Sequence, residues 1–257
     1  MPDVMEDREL FERQYESLRG FCRIIGGASP GARVIEHGSV VAAVVPAAPE
    51  RSVVNSVAYG GAAELEAALP ALADAYQQAG VRAWTVWVPR DDADAARMLE
   101  HAGHRLDAEP EAMAMELSAL SAPASGALDL DLDPKPRVTT VARLNDRAYD
   151  FGGDQFERAL RSAPSVHCYV ARLAGEPASC VAAHDHDGDC SIMFVATLEE
   201  ARGRGLAGRL ITHALHEARG RGCTTTSLQA TRMGRSIYAR LGYRQLGPVQ
   251  MWERRAG

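Results

Sequence analysis

The chain has 257 residues, which suits one large domain or two small ones. Apolar residues make up 46% of it and charged residues 24%, so it can bury a hydrophobic core. Its net charge of −6, without a long run of Lys or Arg, argues against a nucleic-acid-binding surface.

The first half alternates strand-like and helix-like segments. Three β-rich segments come first, at residues 32–36, 40–45 and 52–58. A helix follows, with its apolar face marked by Leu65, Leu69, Leu72 and Tyr76. Residues 81–88 then predict a strand, and residues 92–101 a helix that Gly103 ends.

Residues 121–136 are rich in small residues, prolines and aspartates, which seldom pack into a core. We therefore predict a linker here, between a domain at residues 1–120 and a second at residues 137–257.

The second half predicts a helix, three strands, a glycine-rich turn, a helix, a strand, a short helix and a last strand. These elements lie at residues 145–162, 167–173, 178–184, 190–197, 206–219, 224–231, 235–241 and 250–252. Asp187-Gly188 is a hairpin signal between the second and third strands. The order predicts a mixed α/β sheet, that is, an α/β (α+β) fold class.

The first half resembles the second at an offset of about 140 residues, which is consistent with an internal duplication. Gly80-Val81 corresponds to Gly222-Cys223, and the segment ending at Gly103-His104 corresponds to the segment ending at Gly242-Tyr243.

The turn from Arg202 to Ala207 favours binding of a phosphate or pyrophosphate. Gly203 and Gly205 permit a tight turn with consecutive N–H groups exposed, and the helix that starts at Leu206 adds free donors and the positive end of its dipole. Arg202 and Arg204 add positive charge. A solvated Arg-Gly turn without a ligand is the alternative.

Two motifs together resemble the GNAT superfamily of N-acetyltransferases. Val195-Ala196-Thr197 followed by Arg202-x-x-Gly205-x-Ala207 is similar to the acetyl-CoA motif at the end of the family's fourth strand. Tyr238-x-x-x-Gly242-Tyr243 is similar to the family's later motif. The resemblance covers residues 138–255 and implies tandem GNAT-like domains, of which the first is a degenerate copy.

The resemblance also implies roles for individual residues. The N–H groups of Arg204, Gly205, Leu206 and Ala207 would hold the pyrophosphate of acetyl-CoA, the co-substrate. Val195 and Thr197 would contact the pantetheine arm, where a bulge in the strand aims one N–H near Val195 at the thioester carbonyl. Tyr238 would protonate the departing thiolate. Thr231 stands where many members have an Asn that bonds the pantetheine.

A base must remove a proton from the acceptor amine, because a free alkyl amine has a pKa of about 10. Asp189 is the one carboxylate on the strand face that also carries Ser191, Met193 and Val195, so it is the candidate. The alternative is a solvated hairpin residue beside Gly188.

The remaining polar features predict no further site. The five cysteines are scattered without a Cys-x-x-Cys pair, which indicates a reduced, cytoplasmic compartment and no zinc site. The tract from His184 to Asp187 is interpreted as a solvated turn. Residues 1–10 are acidic and no apolar run approaches about 20 residues, so we expect neither a signal peptide nor a membrane partner.

The leading hypothesis is acetyl transfer from acetyl-CoA to a primary amine of a small-molecule acceptor. Carboxylates such as Asp146, Asp150 and Glu157 favour a cationic acceptor, although ordinary surface charge explains them equally well. A non-catalytic CoA-binding or sensing protein is the alternative. The first half would support the acceptor pocket or a homodimer contact.

Overall fold

The computed structural model describes residues 5–120, 130–151 and 153–256. The chain divides into two compact units. The first, named here the C-terminal unit, comprises Met1–Ser17, Ala112–Glu157 and Pro164–Leu246. The second, the N-terminal unit, comprises Leu18–Glu111, Arg158–Ala163 and Gly247–Gly257.

The two units differ from the predicted domains 1–120 and 137–257 at both ends of the chain. Residues 1–17 belong to the C-terminal unit, and residues 247–257 belong to the N-terminal unit. The predicted domain bounds describe a repeated sequence pattern, which need not coincide with the compact units, and they stay a prediction. Residues 121–129 of the predicted linker lie outside the described residues. In its described part, Leu132 forms an antiparallel bridge with Ala171.

The N-terminal unit is made of helices and strands: the strands form a mixed sheet, and the helices pack on it. These elements are α1 (Asp7–Gly26, which begins in the other unit), β1 (Arg33–His37), β2 (Val40–Val44), β3 (Ser56–Ala58), α2 (Ala62–Gln78), β4 (Ala83–Pro89), α3 (Ala93–His101) and β5 (Arg105–Ala108). The strand order is β1-β2-β3-β4-β11, where β11 is Arg244–Arg255 and also pairs with β5. Among the pairs β1–β2, β2–β3, β3–β4, β4–β11 and β5–β11, only β3 and β4 are parallel; α2 connects them and buries Leu65, Leu72 and Tyr76.

The C-terminal unit also contains a mixed sheet, in the order β6-β10-β9-β8-β7. Its elements are β6 (Glu111–Glu116), α4 (Val138–Ala148), α5 (Gln155–Ala159), β7 (Val166–Leu173), β8 (Glu176–His186), β9 (Asp189–Thr197), α6 (Leu206–Gly220), β10 (Thr225–Ala230) and α7 (Arg235–Arg240). Strands β7, β8 and β9 are antiparallel neighbours, whereas β9 and β10 are parallel and α6 connects them. The predicted mixed α/β fold is therefore confirmed.

The single helix predicted at residues 145–162 is wrong, because the chain turns between α4 and α5. Asp150 and Gly153 adopt positive φ values of 49° and 87°, which no α-helix contains. The carboxylate of Asp146 accepts hydrogen bonds from the N–H groups of Phe156 and Glu157 at 3.2 and 3.0 Å. It thereby binds two N–H groups near the start of α5, which the helical ladder would leave unpaired.

The hairpin predicted at Asp187-Gly188 is confirmed, since both residues have positive φ, at 46° and 77°. The segment predicted as a strand at residues 52–58 is shorter, because Ser52–Val54 form a 3-10 turn before β3. Helix α1 and strands β5 and β6 are elements that the sequence pattern did not reveal.

Helices α3 and α7 end in the same way. Gly103 and Gly242 are both left-handed, with φ of 84° and 101°. The residue after each glycine donates its N–H to the carbonyl five residues earlier, on Leu99 at 2.9 Å and on Tyr238 at 3.1 Å. Helices α2 and α6 also have equivalent ends, at Gly80 and Gly222. Because many helices end in this way, the matching ends are only consistent with the predicted duplication, which stays a prediction.

Candidate active site

The parallel strands β9 and β10 separate partway along their length. They pair only from Asp189 to Ser191 on one strand and from Thr225 to Ser227 on the other. Beyond that point both strands continue, to Thr197 and Ala230. The separation opens the sheet at the carboxyl ends of the two strands.

A bulge in β9 lies within the opened part. Two residues of β9, Phe194 and Val195, face the single residue Val181 of β8. Phe194 has a φ of 54°, which is uncommon for a residue other than glycine. A bulge re-aims the backbone groups of the strand that carries it. The bulge implied by the family resemblance is present at its expected place.

A cavity of about 710 Å³ lies at this opening. Its lining includes most of the residues that the sequence had indicated: Val195, Ala196, Thr197, Arg202, Gly203, Gly205, Leu206, Ala207, Thr231 and Tyr238. Arg204 and Asp189 are not in this lining. The structure thus gathers ten of the twelve predicted site residues around one space.

The turn before α6 presents backbone donors at one end of the cavity. Gly203 and Gly205 are left-handed, with φ of 77° and 71°, and an added Cβ at either would meet no heavy atom within 4 Å. Gly205 is the N-cap of α6, and no side chain caps this end of the helix. The turn therefore forms an open cradle with the positive end of the helix dipole behind it, which fits an anionic phosphate group.

Arg202 lines the cavity and also bonds to the backbone of two neighbouring elements. Its guanidinium donates to the carbonyl of Thr197 at 3.4 Å and to the carbonyl of Ala148 at 3.3 Å. These bonds tie the glycine-rich turn to the end of β9 and to α4. Arg204 is exposed outside the cavity lining.

Tyr238 lies on α7 and is 8% exposed. Burial raises the pKa of its hydroxyl above the usual range, and the neighbouring Tyr149 raises it further by a smaller amount. The phenol therefore keeps its proton at neutral pH, as a proton donor requires. Its ring packs edge-on against Tyr243, with centroids 5.8 Å apart.

Thr231 follows β10 and lines the cavity. Its side-chain oxygen and its carbonyl both accept from the N–H of Gly234, at 3.4 and 2.9 Å. The residue thus shapes the turn that leads into α7.

Asp189 lies at the far end of β9 from the bulge and is 3% exposed. Its carboxylate accepts hydrogen bonds from the hydroxyls of Thr225 at 2.7 Å and Ser227 at 2.5 Å. Burial nevertheless raises its pKa above the ordinary value. Because a strand rises about 3.3 Å per residue, Asp189 and Val195 are about 20 Å apart along β9. The structure does not bring Asp189 to the cavity.

Several cavity residues were missed in the sequence analysis. Tyr149 donates its hydroxyl to the carbonyl of Val195 at 3.0 Å. Arg209 and Arg240 add cations to the lining, and Met233 contributes a side chain that is 71% exposed. Arg209 follows the glycine-rich turn by one helical turn, so its position was readable; Tyr149 depends on tertiary structure.

The acidic residues that favoured a cationic acceptor are mostly engaged within the protein. Asp146 caps α5, and Glu157 pairs with Arg143 at 2.7 Å. Asp185 forms two hydrogen bonds with Arg221, at 2.6 and 2.9 Å. Electrostatic attraction of a cationic acceptor therefore has less support than the sequence suggested.

The described residues contain no group of three or more His, Cys, Asp or Glu side chains placed to hold a metal ion. In the tract from His184 to Asp187, His184 contacts the carbonyl of Ser165 and Asp185 pairs with Arg221. Within the same described part of the chain, no helix has the length and apolar character needed to cross a membrane.

Comparisons with known proteins concern the family of one part of the chain and the fold of the whole. Residues 132–244 match the model of the acetyltransferase (GNAT) family. None of the curated protein sequences matches the chain. Among solved structures, the chain is similar to a GCN5-related N-acetyltransferase from Kribbella flavida, with a TM-score of 0.67 and 17% identity over 95% of this chain and 96% of that one.

Two further structures have a similar fold. One is a GCN5-related N-acetyltransferase from Sphaerobacter thermophilus, with a TM-score of 0.56 and 16% identity over 99% of this chain and 95% of that one. The other is a tandem GNAT protein from the clavulanic acid biosynthesis pathway, with a TM-score of 0.56 and 14% identity over 99% and 98%. The family model matches residues 132–244, which contain the opened strands β9 and β10. Residues 132–244 are therefore a domain of the GNAT acetyltransferase family.

Proposed function

We propose that the protein transfers an acetyl group from acetyl-CoA to the primary amine of a small molecule. One observation carries this proposal. The end of β9, the glycine-rich turn before α6 and the buried Tyr238 all line the same cavity of about 710 Å³. A strand end for the pantetheine arm, a cradle for phosphate and a proton donor are three of the parts that this reaction uses.

Acetyl-CoA would supply an acyl thioester, whose carbonyl carbon accepts the nitrogen of the amine. The N–H groups of the turn from Gly203 to Ala207 would hold the pyrophosphate, with Arg209 and Arg240 nearby to balance its charge. The backbone at Val195 would donate to the carbonyl oxygen as negative charge develops there.

The transfer forms one C–N bond and breaks one C–S bond. The amine must lose a proton, and the sulfur that leaves must gain one. Tyr238 would give its hydroxyl proton to the sulfur and recover one from water. Asp189 stays a hypothesis for the base; at about 20 Å along β9 it would act only through a chain of waters.

The alternative is a protein that binds CoA without turnover. Thr231 favours this alternative, because it occupies the position of the family's pantetheine-binding Asn and its hydroxyl already accepts from Gly234. The same cavity would then serve to sense the CoA pool.

The decisive experiment measures release of free thiol from acetyl-CoA with a panel of polyamines, amino sugars and lysine-rich peptides. We expect at least one small amine to raise thiol release well above hydrolysis. Calorimetry with CoA is run in parallel. Binding without turnover on any amine would support the sensing alternative, and absence of binding would disprove both.

A further inference from the structure

We propose that Asn145 is a positioning residue for acetyl transfer, which holds the β9 bulge in its active shape. This inference rests on the proposed function for its catalytic consequence, but its structural part concerns the protein without ligand. The amide group of Asn145 comes from α4 and meets the bulge 49 residues further along the chain.

The amide nitrogen of Asn145 contacts two backbone carbonyls and, at 3.6 Å, the Sγ of Cys180. Asn145 is 6% exposed, and its Nδ2 donates to the carbonyl of Phe194 at 2.9 Å. The same Nδ2 donates to the carbonyl of Val141, one turn back in α4, at 3.1 Å. An amide nitrogen carries two hydrogens, so each carbonyl can receive one. The bond to Val141 orients the amide, and the bond to Phe194 holds the bulge.

The bulge needs such a partner. An extra residue in a strand is left out of the ladder of backbone hydrogen bonds. Phe194 also has a left-handed φ of 54°, a conformation that costs free energy for a residue with a side chain. A partly buried carbonyl without a donor would add to this cost. Asn145 supplies that donor, together with the thiol of Cys180, whose Sγ lies 3.4 Å from the same oxygen.

The segment around Asn145 holds the bulge at other points as well. Tyr149, one turn further along, donates to the carbonyl of Val195 at 3.0 Å. Phe156 of α5 packs edge-on against the ring of Phe194, with centroids 4.8 Å apart. Tyr149 is 40% exposed, so water can replace its bond, whereas water has little access to Asn145. The amide is therefore the contact whose loss affects the bulge most.

The link to catalysis follows from the backbone. Phe194 and Val195 share the peptide unit that contains the Phe194 carbonyl and the Val195 N–H. A peptide unit is planar, so the hydrogen bond to the carbonyl also fixes the direction of the N–H. That N–H is the donor that the proposed function assigns to the thioester carbonyl. An oxyanion donor works only when it is held in place before the reaction.

Two substitutions separate positioning from simple stability. Asn145→Leu removes the donor and keeps the approximate size. Asn145→Asp keeps the shape but offers a donor only when its carboxyl group is protonated. Asn55 provides matched controls, because it is also buried and bonded, to Val45, Ala48 and Arg51, and it is not among the residues that line the cavity.

The first measurement is hydrogen exchange of the ligand-free protein, followed in peptides that cover residues 193–197. We expect faster exchange there in Asn145→Leu and no local change there in Asn55→Leu. Unchanged exchange at residues 193–197 in Asn145→Leu would overturn the inference. This result does not depend on whether the wild type acetylates anything, so it is distinguishable from failure of the proposed function.

The second measurement is turnover with the amine found in the panel. We expect kcat to fall roughly 10- to 100-fold in Asn145→Leu, as for a misplaced reacting group, with little change in the Kd for CoA. The ratio of Asn145→Asp to wild-type kcat should rise as pH falls, because the protonated acid donates to Phe194. The Asn145→Leu ratio should stay level. Equal losses of kcat in Asn145→Leu and Asn55→Leu, or a level Asn145→Asp ratio, would overturn the inference.

Discussion

Gly234 lies so close to the ring of Tyr238 that a methyl group on its α-carbon would be 2.9 Å from Cε2. Real Cβ atoms essentially never approach another atom so closely. We therefore expect Gly234→Ala to push the Tyr238 ring out of position and to lower kcat at least 10-fold, because a small displacement of a reacting group has a large effect. Steady-state kinetics of thiol release would measure it.

Gly220→Ala is the matched control for Gly234→Ala. Gly220 is the last residue of α6, and a Cβ there would meet nothing within 4 Å. We expect this variant to retain wild-type kcat. Equal activity of the two variants would show that the position of the Tyr238 ring has no effect on turnover.

Tyr238→Phe tests the proton donor directly. The phenol would act mainly as the thiolate leaves, so we expect kcat to fall by about 10²- to 10⁴-fold, with acetyl-CoA affinity near wild type. Tyr243→Phe is the control, because the Tyr243 hydroxyl bonds Thr226 in the core at 2.9 Å. That variant should lose stability but little kcat. Unchanged kcat in Tyr238→Phe, with chemistry shown to be rate-limiting, would remove the phenol from the mechanism.

Gly205→Val tests the phosphate cradle. A β-branched residue is strained at a φ of 71° and would crowd the N–H groups at the start of α6. We expect CoA binding measured by calorimetry to be lost. Arg204→Ala should weaken binding much less, because salt screens an exposed charge.

Gly205→Val also strains the backbone at a left-handed φ, so the effect of that strain on folding needs its own control. A glycine just past the other end of α6 provides it. Gly222 is also left-handed, at a φ of 102°, and an added Cβ there is equally free of contacts. Gly222→Val should therefore destabilise the fold while the folded fraction still binds CoA. Similar loss of binding in both variants would assign the effect to unfolding rather than to the cradle.

His104 predicts a pH dependence of stability. The side chain is 2% exposed and lies edge-on to Trp84. Burial, and then the charge of Arg254, lower its pKa from 6.5 to about 4. The folded state therefore favours the neutral ring, so stability is full above pH 6.5 and decreases as pH falls from 6.5 towards 4. The loss amounts to about 3 kcal/mol for this group.

Denaturant unfolding at several pH values would check the His104 prediction. In His104→Leu, the free energy of unfolding should depend less on pH between 6.5 and 4 than in wild type. If the free energy of unfolding changes equally with pH in the two proteins across this range, the prediction is contradicted.

The N-terminal copy is predicted to bind no CoA. Leu99 stands where the second copy has Tyr238, and its carbonyl accepts the equivalent helix-ending hydrogen bond. Between β3 and α2 the chain has only Tyr59-Gly60-Gly61, too short a turn to surround a pyrophosphate. We expect calorimetry of the whole protein to give one CoA per chain. A stoichiometry of two would contradict it.

The sequence predicted what depends on local pattern. The turn from Arg202 to Ala207 and the helix after it follow from glycines and apolar spacing, and the place of Tyr238 follows from the family resemblance. What it missed depends on distant contacts. The break between α4 and α5 requires Asp146 to reach Phe156, and the role of Asn145 requires α4 to lie against Phe194. Neither bond leaves a periodic signal in the residues around it.

Strand β11 has a consequence for how the chain is made. Its residues Val249–Arg255 pair with all seven residues of β4, yet they are synthesised after the whole segment from 112 to 246. The N-terminal unit therefore cannot complete its sheet while the ribosome is still translating that segment. This unit therefore differs from tandem domains that each complete their fold before the next is made. Until the last strand emerges, β4 keeps one edge without its partner strand.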